Sequence, residues 1–466
     1  MPDRRIIGML SIAVLSLVAR FFCLEADFPA GVTASTAPFT DEGFWLNNAV
    51  STMVRGHFYV EGDHNPAVLS PVVPTMATLV FRVLGMGLTQ ARAIAACFFV
   101  LSAGLVYLLA RRYTSSGPAT LSFLLFSTNY HLFVYSRLAM LEIPMMAMVL
   151  LSLVMASRKW VTASVLALAA AILTKATAVF ALPLLVYVLW LEGVPRAGLV
   201  GAAAGVMVIG LGYQVVAYGY YPDDVRALHS THIADKFPDS PWGLVENAAR
   251  ALVRFGRVDP AVTLLGAPGL LWLLLFRADF RRDPLVRLCL LWWLAWTVLL
   301  SLTHYQPTRY YLPYTVPLVV LFSLMAARLY RWRRAIASLF IGTVLTVCLS
   351  RVGDYLAHPQ YTFRDMAHRV AQTVRQEAGP RAVLLGSPAN SISLATGIPA
   401  VTRQNSPRGL DWKLDRYRPA FCVTTGAGED LSELEQRYSM ELLASYRVLR
   451  SPRAGGAFCL YRMVPR

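Results

Sequence analysis

Lysine is almost missing from this 466-residue chain. Only Lys159, Lys175, Lys236 and Lys413 occur, so 39 of its 43 basic residues are arginine. Charged residues of all kinds make up 15%, against the quarter or so that soluble globular domains carry. Cysteine is scarce too. Six scattered cysteines, none in a C-x-x-C pair, exclude a disulfide-stapled scaffold and the common thiol metal and redox motifs. No N-x-[ST] sequon, internal repeat or low-complexity tract occurs. Apolar side chains are what abound. They form 56% of the chain, with a mean hydropathy of +0.49, which excludes disorder and collagen-like sequence and places the chain among membrane proteins.

A membrane-spanning helix needs about 20 mainly apolar residues. Such runs fall near 5–24, 89–110, 118–136, 140–157, 160–174, 176–192, 197–218, 261–277, 286–303, 311–327 and 335–350. The expectation is an α-helical polytopic protein with eleven spans. The first run follows Arg4 and Arg5 like a signal peptide, but we read it as an uncleaved anchor because the residues after it carry chemistry. The run 67–84 contains Pro71 and Pro74 with Ser70, Thr75 and Thr78. It reads as a helix at the membrane surface or partly re-entrant.

Charge tests this count. With 67–84 not spanning and the N-terminus cytoplasmic, Arg4/Arg5, Arg111/Arg112, Arg158/Lys159, Arg196, Arg277/Arg281/Arg282/Arg287 and Arg328/Arg331/Arg333/Arg334 share the cytoplasmic side. The short opposite loops carry one cation each: Arg137, Lys175 and Arg309. This is the positive-inside pattern. It accounts for most of the +16 net charge without nucleic acid. Two long outer loops follow, 25–88 and 219–260. The chain divides at 351: a membrane domain over 1–351, and over 352–466 a small extracytoplasmic α/β domain, whose strand-like runs 382–386, 420–425 and 457–463 alternate with helical patterns. Cys422 and Cys459 lie in two of those runs and could pair in an oxidising compartment, or remain buried thiols.

The outer side gathers ionisable groups that the spans exclude. They are Asp41 and Glu42 after the first span, Asp63 and His64 in the same loop, Arg137 and Glu142 around span four, Lys175 between spans five and six, and His304, Tyr305, Arg309 and Tyr310 before span ten. Ionisable residues at membrane depth mark sites by default. Acids with separated cations suit a substrate that carries a phosphate and a hydroxyl that must lose a proton. Each residue also has a plainer role open to it. Thr40 or Asp41 could cap a helix, Glu142 could be a first-turn acid, and His64 could be an ordinary loop residue. Arg137 and Lys175 could be interfacial anchors, and His304 and Tyr305 belt residues. Asp63, His64, His229 and His232 could supply ligands to a divalent metal, without a tight motif.

The segments TDEGFWLNNAV (40–50), DHNPAVLSPVVPTMATLVFRVLG (63–85), QARAIAACFFVLSAGLVYLLARRY (90–113), YSRLAMLEIPMMAMVLL (135–151), LTKATAVFALPLL (173–185) and TRYYLPYTVPLVVL (308–321) carry a family likeness. Over roughly residues 1–330 the chain resembles the integral-membrane glycosyltransferases of the GT-C fold. The likeness is to the bacterial branch related to protein O-mannosyltransferases and lipid A aminoarabinose transferases. It implies an inverting transfer of a sugar from a polyprenyl-phosphate-linked donor to a lipid, glycan or protein acceptor, at the outer face of the cell membrane. It also implies roles: Asp41 as catalytic base or acceptor-orienting group with Glu42 beside it, Glu142 at a second acidic position usually held by Asp, and Arg137, Lys175 and Arg309 on the lipid phosphate. His304, Tyr305 and Tyr310 complete the expected substrate-binding set. His64 stands where relatives of the aminoarabinose enzyme carry Lys, and some relatives bind a divalent metal near the first loop. A ligase or polymerase moving a whole lipid-linked glycan would use the same cations. A lipid-linked-sugar transporter would show inverted repeats and midplane charges, neither of which is seen.

Overall fold

The computed structural model describes residues 4–33, 35, 37–229, 237–238, 240–258, 270–271, 273–275, 277–403, 406–426, 429–448 and 457–466. The molecule is mostly helical. Among the described residues, five helices are long and apolar enough to cross a membrane, beginning at Leu88, Arg196, Pro284, Thr308 and Arg334. Shorter apolar helices cover Ile6–Ala19, Val72–Leu84, Glu142–Ser157, Val161–Thr174 and Ala176–Leu191. Nine of the expected runs coincide with these helices, the run 118–136 is divided between the helices Ser116–Thr128 and Tyr130–Tyr135, and 261–277 lies largely outside the described residues. The helix Val72–Leu84 has 13 residues. At about 1.5 Å per residue it rises about 20 Å, short of the roughly 30 Å of a hydrocarbon core.

Interruptions in the helices matter more than their lengths. Asn129 ends the helix Ser116–Thr128, and its side chain accepts the Leu132 N–H at 2.9 Å, starting the helix Tyr130–Tyr135. Lys175 is extended (φ −156°, ψ 121°) between the helix Val161–Thr174 and a 3-10 turn, Ala176–Ala181. Leu182-Pro183 then opens the helix Leu182–Leu191. The second long joint repeats the device: extended Pro307, a 3-10 turn Thr308–Tyr311, then Leu312-Pro313 opening the helix Leu312–Trp332. Proline in a first turn sacrifices no intrahelical hydrogen bond. Both joints thus carry a cation at a helix entrance, where irregular backbone can line a cavity.

Ion pairs between loops sort them into two groups. Arg112 meets Glu192 at 2.7 Å and Arg328 meets Asp279 at 3.5 Å. Arg309 meets Asp41 and Glu142, and Lys413 meets Asp63. None of these pairs joins loops that the cation count assigns to opposite sides.

The C-terminal segment builds a five-stranded mixed sheet in the order β2-β1-β3-β5-β4, with β1 (Leu384–Leu385), β2 (Ala400–Val401), β3 (Phe421–Thr424), β4 (Tyr438–Arg447) and β5 (Ala457–Pro465). β1 runs parallel to β2 and β3, and β5 is antiparallel to β3 and β4. The helix Arg334–Ala357 runs through the boundary expected at 351. The core is continuous across it, with the Phe39 ring 5.6 Å from Phe363 and 6.4 Å from Phe458. Cys422 and Cys459 are both buried free thiols. Cys422 pairs with Tyr461 and Cys459 with Thr424, so the two cysteines are diagonal neighbours. Such positions sit about 7–8 Å apart, beyond disulfide reach.

One ion pair fastens the sheet to the membrane-side loops. Lys413 Nζ lies 2.9 Å from Asp63 Oδ1, both side chains fully buried. Thr402 donates to the same carboxylate from N (3.1 Å) and Oγ1 (2.8 Å). Burial pushes the Asp63 carboxyl up, but Lys413 and Thr402 more than offset it and hold it below the ordinary range. Lys413→Met leaves that carboxylate buried and uncompensated, a loss of about 3–5 kcal/mol for a broken buried pair. Thermal unfolding of the detergent-solubilised protein should show it. Because the folded carboxyl is depressed, its contribution is complete above the unfolded value and disappears as pH falls through the folded one. The stability gap between wild type and variant should therefore narrow in acid.

Candidate active site

Asp41 sits in the middle of the helix Ala37–Trp45, so neither it nor Thr40 is an N-cap. Glu142 opens the helix Glu142–Ser157. Together with the two cations at the helix joints, these acids form one cluster. Arg309 reaches Asp41 Oδ2 at 3.0 Å through Nη2 and Glu142 Oε1 at 3.2 Å through Nε. Lys175 Nζ meets the same Glu142 oxygen at 2.6 Å. Arg309 Nη2 also bonds Tyr305 Oη at 3.2 Å. The Tyr310 ring lies against both cations, with Lys175 Nζ 4.4 Å and the Arg309 guanidinium 5.6 Å from its centroid.

The four charges cancel, but their exposure is unequal. Glu142 is 4% exposed, Arg309 11%, Lys175 14% and Asp41 21%. Glu142 is therefore the buried anchor that holds both cations, and Asp41 is the acid open to an incoming group. Burial raises the Asp41 carboxyl above the ordinary range, against the pull of Arg309, and the charge of Glu142 adds to the rise.

The helix bearing Asp41 is clamped from the C-terminal side. Ser391 Oγ donates to Thr40 O at 2.9 Å and accepts from Gly43 N at 3.0 Å. A Cβ at Gly43 would lie 2.2 Å from the Asn390 backbone, so only glycine allows this approach.

Several expected residues lie elsewhere. Glu42 is buried in an ion pair with Arg92 at 2.6 Å, and its Oε1 accepts Ala139 N at 2.8 Å. Both of its oxygens are thus engaged within the protein, away from the cations of the cluster. Arg137 is 2% exposed and donates to Cys23 O at 2.5 Å and Ala19 O at 3.4 Å. These contacts tie it to the end of the first helix and the turn that follows. Asp63 is committed to Lys413, and His64 is buried and stacked on Phe44 with centroids 3.5 Å apart. His232 and the side chain of His229 lie outside the described residues. Among the described residues no three His, Cys, Asp or Glu side chains gather as a metal site, so the metal expectation loses Asp63 and His64 as a pair of ligands. His304 bonds Asn247 Oδ1 at 3.2 Å and lines a cavity with Tyr305.

Other functional contacts were not singled out from the sequence. Arg92 lay within an apparent span, and an arginine there signals a buried partner. Lys413, in a chain with four lysines, gave only its rarity. The hydrogen bond between Tyr135 and Thr308, beside the cluster, left no sequence signal.

Residues 64–213 match the family described as dolichyl-phosphate-mannose-protein mannosyltransferase. No curated protein sequence matches the chain. Among solved structures, ArnT from Cupriavidus metallidurans in its apo state is 15% identical, covers 98% of both chains and superposes with a TM-score of 0.69. The same protein bound to undecaprenyl phosphate gives 15%, 97% of both chains and 0.67. The oligosaccharyltransferase AglB from Archaeoglobus fulgidus, in complex with an inhibitory peptide and a dolichol-phosphate, is 11% identical over 98% of this chain and 74% of its own, with a TM-score of 0.56. From end to end, the chain is a multi-pass membrane protein with the GT-C fold.

Proposed function

We propose that the protein is an inverting glycosyltransferase that moves a sugar from a polyprenyl-phosphate carrier to an acceptor hydroxyl at the outer face of the cell membrane. The observation that carries this reading is the Asp41–Arg309–Glu142–Lys175 cluster, an open carboxylate beside two cations held by a buried acid. The likeness in fold to a protein solved with undecaprenyl phosphate supports a lipid-phosphate donor.

In this reaction the acceptor oxygen attacks the anomeric carbon from the face opposite the phosphate. The proton of that hydroxyl passes to Asp41. The bond between anomeric carbon and phosphate oxygen breaks, and its electron pair leaves on the polyprenyl phosphate. Lys175 and Arg309 neutralise the charge that grows there. Lys175 acts as a point charge, and Arg309 offers a planar fork of donors. Glu142 keeps both cations in place before the donor arrives. Glu42 and Arg92 fix the far side of the Asp41 helix, so the base does not swing.

The defining experiment is reconstitution of the purified protein with undecaprenyl-phosphate-linked sugar and envelope extract, beside mass spectrometry of envelope glycolipids and glycoproteins with and without the gene. A sugar must disappear from one envelope component in the deletion strain and return on it in the reconstitution. An unchanged envelope would sink the reading.

The proposed sidedness has its own test. In a background without native cysteines, Arg408→Cys and Arg416→Cys, both at exposed positions, should label from outside intact cells. Arg111→Cys should label only after permeabilisation. The opposite pattern would place the cluster on the cytoplasmic side.

A further inference from the structure

A cavity of about 670 Å³ opens beside the charge cluster, within the range of small-molecule sites. One wall residue, Tyr305, belongs to the cluster, and another, Thr308, adjoins it. Tyr305 holds Arg309, and Thr308 precedes Arg309 and bonds Tyr135. His131 is 3% exposed at this cavity. The Thr308 backbone lies within hydrogen-bonding reach of its ring.

Two arginines also line the cavity, and both are held from the side. Arg254 Nη1 donates to Gln306 O at 3.3 Å, and the Arg351 guanidinium lies 5.7 Å from the Tyr130 ring centroid. Each keeps further N–H donors free of these contacts. Among the described residues the lining contains three tyrosines, two histidines and these two arginines, and no Asp, Glu or Lys. Aromatic faces pack against sugar rings. Arginine forks bind planar or tetrahedral oxyanions. A cavity with both and no acid favours a ligand with both features.

We propose that this cavity holds the acceptor, and that the acceptor is an anionic sugar, carboxylated or phosphorylated, whose oxyanion is bound by Arg254 and Arg351. The proposal rests on the glycosyltransferase reading for the word acceptor, but the ligand class rests on the lining alone. Its place also fits the reaction, because a ring seated against Tyr305 lies next to Asp41's partner Arg309.

The test uses the full-length protein in phosphatidylcholine nanodiscs, which removes competing anionic lipid. Saturation-transfer NMR would compare digalacturonate with neutral galactobiose, and glucose 6-phosphate with glucose. Undecaprenyl-phosphate binding is measured in parallel. At least one anionic sugar should bind about tenfold or more tighter than its neutral partner, as expected for charge-assisted hydrogen bonds. Which of the two does so separates a carboxylate from a phosphate. The double variant Arg254→Gln/Arg351→Gln should erase that preference and leave undecaprenyl-phosphate binding within about twofold. Equal binding of anionic and neutral sugars would overturn the proposal. So would a preference that survives the double variant, because the anion would then sit on Lys175 and Arg309. Loss of undecaprenyl-phosphate binding in the double variant would overturn it too, by making the arginines part of the donor site. If the wild type ignores undecaprenyl phosphate yet shows an arginine-dependent anionic preference, the ligand class stands and the donor reading fails.

Discussion

Asp41→Asn should slow sugar transfer at least about a hundredfold, within the range for lost general-base help, in a protein that folds and still binds donor lipid. An acceptor hydroxyl is a poor nucleophile until its proton is taken. Asp41 is the most exposed acid of the cluster, and asparagine keeps its size while losing its basicity. A capping role would have predicted a nearly normal enzyme, but Asp41 lies inside its helix, so that explanation is gone. The pH profile supplies a second readout. The base must be ionised to act, and burial raises its carboxyl above the ordinary range. Wild-type kcat/KM should therefore fall as pH drops through a value higher than that of a free aspartate, and the variant's residual rate should lack that acid limb. Unchanged transfer by Asp41→Asn, with donor bound, would remove Asp41 from the chemistry.

Lys175→Met should cost about two to three decades in transfer rate, the roughly 2–4 kcal/mol of a lost preorganised electrostatic donor. The methionine keeps the apolar stem of lysine, and Glu142 keeps Arg309 as a partner, so the protein should still fold. The loss should appear mainly in kcat, since the charge on the leaving phosphate grows towards the transition state. Arg137→Met provides the contrast. Its guanidinium holds carbonyls at the end of the first helix, so that variant should unfold at lower temperature but turn over normally per folded molecule. A rate loss in Arg137→Met equal to that in Lys175→Met would contradict the placement of both residues.

The membrane class and the position of most of the apolar helices were legible from the sequence. Both follow from transfer of side chains into an apolar solvent, which is additive along the chain. The apolar runs break at Lys175 and before span ten at Arg309, and the structure brings both cations onto Glu142. What failed was the assignment of function among neighbours of like charge. Arg137 and Arg309 look alike as single cations in short loops, yet one ties down the first helix and the other bridges two acids. Sequence carries the cost of placing a charge near the membrane but not the identity of the partner that repays it.

Asp41 and Glu42 make the division plainest. Composition and topology put both acids in the first outer loop, and nothing in their spacing ranks them. On a helix, consecutive residues point about 100° apart, so the one turned inward meets Arg92, whose Nη1 also donates to the Leu24 and Ala26 carbonyls, while the other faces Arg309 and the opening. The helix needed only an interface to form, which the sequence supplies by itself. Its rotation was decided by distant residues: Arg92, Ser391 and the close approach at Gly43. That rotation depends on packing between segments up to 351 positions apart, which only the tertiary structure brings into contact.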